Sequence, residues 1–246
     1  MTKRLDKILR ILSSERKASV ADLTEKLKVS PATIRQDLTV LENGGFLKRV
    51  HGGAVLNESD DISHRMAINY GIKVNIAKKA AEFVKEGDTI FVESGSTNAL
   101  FVKEISGIKD ISIITSNAFI ARSVDQGKGC SVILIGGVFQ QESEGIVGNL
   151  AKICIENLNF TKVFLGIDGF TMDTGFTGRD MMRADIAAKI VERGKEIFIL
   201  TDSTKFGRIN LSRYCNLEDV DCIITDSALS DTYKDEISKV TDLIIV

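Results

Sequence analysis

The chain has 246 residues, 43% apolar and 27% charged, with a formal charge of −2. That length allows one large domain or a small one joined to a larger one, in the composition of an ordinary globular protein. No apolar run reaches the length of a membrane span, and the opening MTKRLDKILRIL is too charged and too periodic for a signal peptide. Cys130, Cys154, Cys215 and Cys222 form no CxxC pair and have no histidine nearby. They read as reduced core residues of a cytoplasmic protein rather than metal ligands or disulfides. The charge is unevenly spread: residues 1–56 hold 11 Lys+Arg against 6 Asp+Glu, and the remainder holds 21 against 28. A basic head on an acidic body predicts a polyanionic partner for the head.

Three helices are predicted in the head. Leu5, Ile8, Leu9 and Leu12 follow the stripe of a helix packed on a core. In SVADLTEKL, Ser19 and Asp22 have the spacing of a capping box, and Leu23 and Leu27 supply the buried side. Ser30 then reads as an N-cap and Pro31, the only proline, as the first residue of a third helix. Ile34, Leu38 and Leu41 lie on one side of it, and Ala32, Arg35, Gln36 and Thr39 on the other, with Thr33 between the two faces. A short helix, a tight turn and a second helix with a polar outer face match a helix-turn-helix. Arg and Gln can each make two hydrogen bonds to a base edge, and the capped helix end suits a phosphate. FLKRVHGGAVL alternates around Gly-Gly as a β-hairpin does, projecting Lys48, Arg49 and His51 as the cationic wing of a winged helix.

The stretch SVADLTEKLKVSPATIRQDLTVLENGGFLKRVHGGAV resembles the signature of the DeoR-type family of bacterial sugar-metabolism regulators, with Gln36 where that family usually carries a second arginine. The resemblance runs over nearly the whole chain. It implies double-stranded operator DNA as partner, a phosphorylated sugar or similar small anion as effector, and a homo-oligomer.

Residues 57–73, polar and acidic at their start, read as a linker between a DNA-binding domain (1–56) and an α/β domain (74–246). A helix is expected near 74–85. Apolar runs follow at 89–93, 111–115, 131–135, 162–167, 196–201, 221–225 and 242–246, with helical stretches at 97–106, 117–126, 147–158, 179–193 and 228–239. That alternation predicts a mostly parallel sheet covered on both faces, with its ligand beyond the C-terminal strand ends. Small polar residues collect there, in ESGSTN, TSN, GGV, DG and TDSTKFGR. Ser94, Gly95, Ser96 and Thr97 at a helix start suit an anion, with Lys189 and Lys205 as counter-charges.

There is no GxGxxG after the first strand and no GxxxxGK[ST], so neither a dinucleotide fold nor a P-loop is expected. His51 and His64 both lie outside the sheet domain, which excludes imidazole chemistry in the pocket. No catalytic residue, metal site or cofactor is expected. Glu93 and Asp168 read as acceptors for sugar hydroxyls or as structural partners. The family effector domain is similar in fold to pentose-phosphate isomerases and amino-sugar-phosphate deaminases. That resemblance implies ligand roles for Glu93-Ser94-Gly95-Ser96-Thr97 (usually Asp-Ser-Gly-Thr-Thr), Asn117 within TSN, Lys189 in GFTGRDMMRADIAAK, and Lys205 in DSTKFG. The expected function is a repressor of a carbohydrate-metabolism operon. The alternatives are a sugar-phosphate isomerase with a DNA-binding appendage, and an adaptor that binds protein through its basic helix.

Overall fold

A computed structural model of the chain describes residues 3–43, 46–55, 62–125 and 129–246. They form two compact units, Met1–Gly71 and Ile72–Val246.

The first unit contains α1 (Lys3–Glu15), β1 (Lys17–Ser19), α2 (Val20–Leu27), α3 (Pro31–Asn43), β2 (Lys48–Val50), β3 (Gly53–Val55) and α4 (Ile62–Ala67). Leu5, Ile8, Leu9, Leu12, Leu23, Ile34, Leu38 and Leu41 are all at most 6% exposed, so the predicted apolar stripes are the buried ones. Leu27 is only half-buried. The capping box is complete: Ser19 Oγ accepts from the Asp22 N–H at 3.0 Å, and the Asp22 carboxylate accepts from the Ser19 N–H at 3.2 Å. Lys28 ends α2 in the left-handed conformation. Ser30 Oγ accepts from the Thr33 N–H at 3.2 Å, which satisfies an orphan donor in the first turn of α3. Arg4 clamps α1 to α3 by donating Nε and Nη2 to the two oxygens of buried Asp37, at 2.5 and 2.9 Å.

The wing has three strands, ordered β1-β3-β2. β1 is absent from the sequence reading because three residues are too few for an alternation to register. Gly53 explains how β1 and β3 close: a Cβ there would lie 2.3 Å from the Ala18 carbonyl oxygen. The helix end expected at Gly44–Gly45, residue 56 and residues 57–61 of the expected linker lie outside the described residues. Residues 62–71, also expected in the linker, belong to the first unit. There α4 packs against α1, and Tyr70 meets Phe46 edge-on at 5.4 Å.

The chain continues through α5 (Tyr70–Ala81), which begins and ends about four residues before the expected helix. The second unit then runs β4 (Thr89–Val92), α6 (Ser96–Ile105), β5 (Ser112–Thr115), α7 (Ala118–Ser123), β6 (Ser131–Leu134), β7 (Val138–Gln140), β8 (Gly145–Val147) and α8 (Asn149–Glu156). After these come β9 (Lys162–Leu165), β10 (Gly169–Thr171), β11 (Gly175–Gly178), α9 (Met181–Arg193), β12 (Glu196–Leu200), β13 (Ser212–Cys215), β14 (Cys222–Thr225), α10 (Asp231–Ile237) and β15 (Asp242–Ile245).

The seven predicted apolar runs are the seven strands of one parallel sheet, ordered β15-β14-β12-β9-β4-β5-β6. Central strands such as β9 and β14 are buried at every position, as strands covered on both faces must be. Phe164 of β9 stacks between Phe101 and Phe198, with ring centroids 4.3 and 4.9 Å away. The winding direction reverses where β4 meets β9, and such a reversal opens a crevice beyond the strand ends. Short antiparallel additions, the β7–β8 hairpin and the β10-β11-β13 sheet, were not expected. Among the described residues no helix is long and apolar enough to cross a membrane.

Candidate functional site

Each unit carries a candidate surface. On α3, Ala32, Arg35 and Gln36 are exposed, as the helical spacing requires of residues opposite Ile34, Leu38 and Leu41. Val40 shares that face at 51% exposure. Ser30 is exposed, but its hydroxyl is engaged with the Thr33 backbone and with Thr33 Oγ1, 2.9 Å away, so both residues serve the cap. Thr39 is likewise committed: its hydroxyl donates to the Arg35 carbonyl at 3.0 Å and accepts from Arg49 Nη1 at 2.9 Å. Arg49 also donates its N–H to Glu42 Oε1 at 2.8 Å. The wing is thus hydrogen-bonded to α3, which orients an exposed row of Lys48, Arg49 and His51. Ala32, Arg35 and Gln36 remain as exposed residues of the outer face.

In the second unit the ends of β4 and β9 are tied together, and a crevice opens beside them at the C-terminal ends of β4 and β5. Asn98 Nδ2 donates to the Glu93 carbonyl at 2.9 Å and to the Phe164 carbonyl at 3.1 Å, stitching the two strand ends together. Gly166 permits the close approach, because a Cβ there would sit 3.1 Å from the Ser94 carbonyl oxygen. This narrow crevice, partly open to solvent, is lined by Glu93, Ser94, Ser116, Gly145, Ile146, Arg183 and Ile186.

Of the expected ligand residues, Ser94 lines this cleft, and Gly95, Ser96 and Thr97 follow it into the first turn of α6. No side chain caps that turn, so its N–H groups remain available to an anion. Asn117 does not line the cleft. Buried completely, it caps α7 by accepting from the Ile120 N–H at 3.1 Å and donates to the Ser143 carbonyl at 2.8 Å. Lys189 also points elsewhere, pairing with Glu156 at 3.0 Å and Glu192 at 3.2 Å, two partners that raise its pKa. Lys205 sits in the 3-10 turn Ser203–Lys205 after β12 and is not among the lining residues.

The cation in the cleft is Arg183, which the sequence reading passed over. Asp180 caps α9 by accepting from the Arg183 N–H at 2.8 Å, and its other oxygen accepts from Gln140 Nε2 at 3.2 Å. The Arg183 side chain is 17% exposed, with Cδ close against Gly145. Its buried Nε has no hydrogen-bond partner among the described residues; Asp180 Oδ1 lies 4.0 Å away. A guanidinium held by packing, with a donor unused, is suited to a phosphate or carboxylate. The legible signal was Asp180-x-x-Arg183 at a helix start, where a capping aspartate orients the first turn.

Across the cleft, Glu93 Oε1 accepts from the Ser94 hydroxyl at 2.8 Å. Burial raises the Glu93 carboxyl pKa to about 7 against the lowering effects of Ser94 and Arg183, with Asp168 adding to the rise.

A winged helix-turn-helix joined to a parallel α/β unit with such a cleft defines the class of DNA-binding regulators that carry their own sensor. Comparison with known proteins agrees. Residues 4–60 match the DeoR-like helix-turn-helix domain, and residues 68–227 match the DeoR C terminal sensor domain. The chain is 34% identical to the HTH-type transcriptional regulator GolR of Listeria innocua, covering 92% of this chain and 91% of that protein. It is 31% identical to the lactose phosphotransferase system repressor of Lactococcus lactis, covering 98% and 97%. Among solved structures, ribose 5-phosphate isomerase A of Methanocaldococcus jannaschii aligns with 56% of this chain and 55% of its own at 18% identity and a TM-score of 0.41. The chain belongs to the DeoR family of helix-turn-helix transcription regulators.

Proposed function

We propose that this regulator is a cytoplasmic repressor of a carbohydrate-metabolism operon, controlled by a phosphorylated sugar that binds the cleft between the ends of β4 and β5 and the start of α9. The observation that carries the reading is Arg183, a packed guanidinium with an unused donor, opposite the uncapped start of α6. Together they offer two places for anionic oxygens. Relatives named as repressors of sugar systems support the same reading. The joint between DNA-binding and sensing parts falls within residues 57–73. A ligand need only favour one arrangement of the heads: a coupling of about 1–3 kcal/mol changes operator affinity roughly 5- to 150-fold.

Arg35 and Gln36 are the proposed base readers, and Lys48, Arg49 and His51 the phosphate contacts. Arg35→Ala is expected to cost about 1–3 kcal/mol at one base pair and to relax selectivity there. Binding measured on an operator and its single-pair variants checks this; an unchanged preference at every position removes Arg35 from base reading.

One head covers a small DNA site, so two heads on a symmetric oligomer are proposed to read repeated half-sites. Support comes from the free edge strand β6 and its surroundings. Leu134 (44% exposed), Val138 (61%), Phe139 (52%) and Leu150 (58%) leave apolar surface there of the kind a second copy covers. Sedimentation of the full chain at micromolar concentration is expected to show at least a dimer; a monomer refutes the assembly.

A further inference from the structure

The inference rests on the cleft being the effector site, and concerns the state in which Glu93 meets the ligand. An acidic side chain in an anion site is an apparent contradiction. Glu93 is 9% exposed, and its Oε1 accepts from Ser94. Glu93 lines the same narrow crevice as Arg183. While the cleft is empty, an ionised Glu93 competes for the Arg183 charge that a ligand needs. Once an anion enters a space this small, two like charges stand close together in a medium much less polar than water, where both cannot stay ionised.

We infer that Glu93 binds the effector as a neutral carboxylic acid, donating its proton in a hydrogen bond to the anionic group that Arg183 grips, so that one proton enters the cleft with the ligand. Arg183 then answers one negative charge of the anion, and Glu93 adds a donor in place of a repelling charge. Four neighbouring groups face Glu93. Ser94 donates to it from the same loop, and Arg183 faces it from α9. Asp168, between β9 and β10, accepts from the Arg179 N–H at 3.1 Å and raises the Glu93 pKa. Tyr214, on β13, donates to the Gly166 carbonyl at 2.9 Å, and burial pushes its phenol well above its ordinary range.

The sign follows from linkage. Below about pH 7 Glu93 already holds its proton in the empty cleft. Affinity is therefore level there, and falls by up to about tenfold per pH unit above it, until the raised pKa of the bound state is passed.

The test uses the full chain and sulfate, which carries the same charge throughout the range, whereas a phosphate ester titrates within it. Calorimetric titrations at pH 6, 7 and 8, repeated in two buffers of different ionisation enthalpy, give the dissociation constant and the number of protons taken up. The wild-type protein is expected to bind sulfate several-fold more weakly at pH 8 than at pH 6, with net proton uptake at pH 8. Glu93→Gln is expected to bind without proton uptake and with a flat profile, and Asp168→Asn to keep the wild-type slope. Wild-type binding with no proton uptake at pH 8 overturns the inference even if no variant folds. So does a slope that Glu93→Gln retains, or one that Asp168→Asn abolishes. Sulfate binding that is absent from the wild type, or undiminished in Arg183→Ala, overturns the reading of the cleft as an anion site, and this inference with it.

Discussion

Replacing Arg183 with alanine is expected to weaken effector binding thirty-fold or more, with operator affinity in the absence of effector unchanged. Truncating one partner of a buried, charge-assisted contact costs about 2–5 kcal/mol, since the other partner is left unanswered. Arg183 meets that description because its side chain is mostly buried and its Nε is unused. The fold loses little with it: no hydrogen bond from the guanidinium is found among the described residues, and the nearest carboxylate oxygen, on Asp180, is 4.0 Å away. The thermal midpoint is therefore expected to stay within a few degrees of wild type. Removing this cation also takes away one influence that lowers the Glu93 pKa, leaving that carboxyl still harder to ionise. Arg183→Lys is expected to recover only part of the affinity, because an ammonium cannot reproduce the two-pronged contact. Titration of each variant with a sugar phosphate, read as release of labelled operator, separates these outcomes. A normally inducible Arg183→Ala places the effector elsewhere.

Phe164→Ala is expected to be the most destabilising single change in the second unit, at about 3–5 kcal/mol. Its ring has no exposed surface and stacks between Phe101 and Phe198 at the middle of the sheet. Truncation leaves a cavity bounded by two rigid rings and three parallel strands, which cannot close on it. The loss reaches the cleft as well. The Phe164 carbonyl accepts from Asn98 Nδ2 and from the Glu93 N–H, at 3.1 and 3.0 Å, and these bonds hold the ends of β4 and β9 together. Denaturant unfolding gives the stability, and a loss below about 1.5 kcal/mol contradicts the packing described here. Phe164→Leu keeps most of the volume and is expected to cost less and to preserve effector binding.

The elements legible in the sequence were those whose signal repeats over several residues. The stripe through Leu5, Ile8, Leu9 and Leu12, the Ser19–Asp22 box and the Ser30–Pro31 start all correspond to observed helices, and the seven apolar runs to the parallel sheet. The strands β1, β7, β8, β10, β11 and β13 did not show. Their residues form no continuous apolar run, and their pairing is decided by distant partners, as when β11 meets β13 across the whole of α9 and β12. In the cleft, a polar loop at a strand end brings in Ser94, because strand order alone puts that loop at the sheet's C-terminal edge. Lys189 stands outside the cleft for a physical reason. On α9 it lies six residues, about one and two-thirds turns, beyond Arg183, and so on a different side of the helix, where Glu156 and Glu192 hold it. Asn117 and Thr39 had suitable chemistry, but nearby backbone groups and Arg49 use it first.

The central claim is that an anion in the cleft between the ends of β4 and β5 and the start of α9 controls operator binding by the winged helix. The most direct measurement is the operator dissociation constant of the full chain with and without saturating phosphorylated sugar, the operator having first been selected from random duplexes. The account predicts a selected sequence whose dissociation constant shifts roughly 5- to 150-fold with at least one sugar phosphate, and a shift that vanishes in Arg183→Ala. A duplex bound equally well with every sugar phosphate present or absent, or a full shift retained by Arg183→Ala, contradicts it.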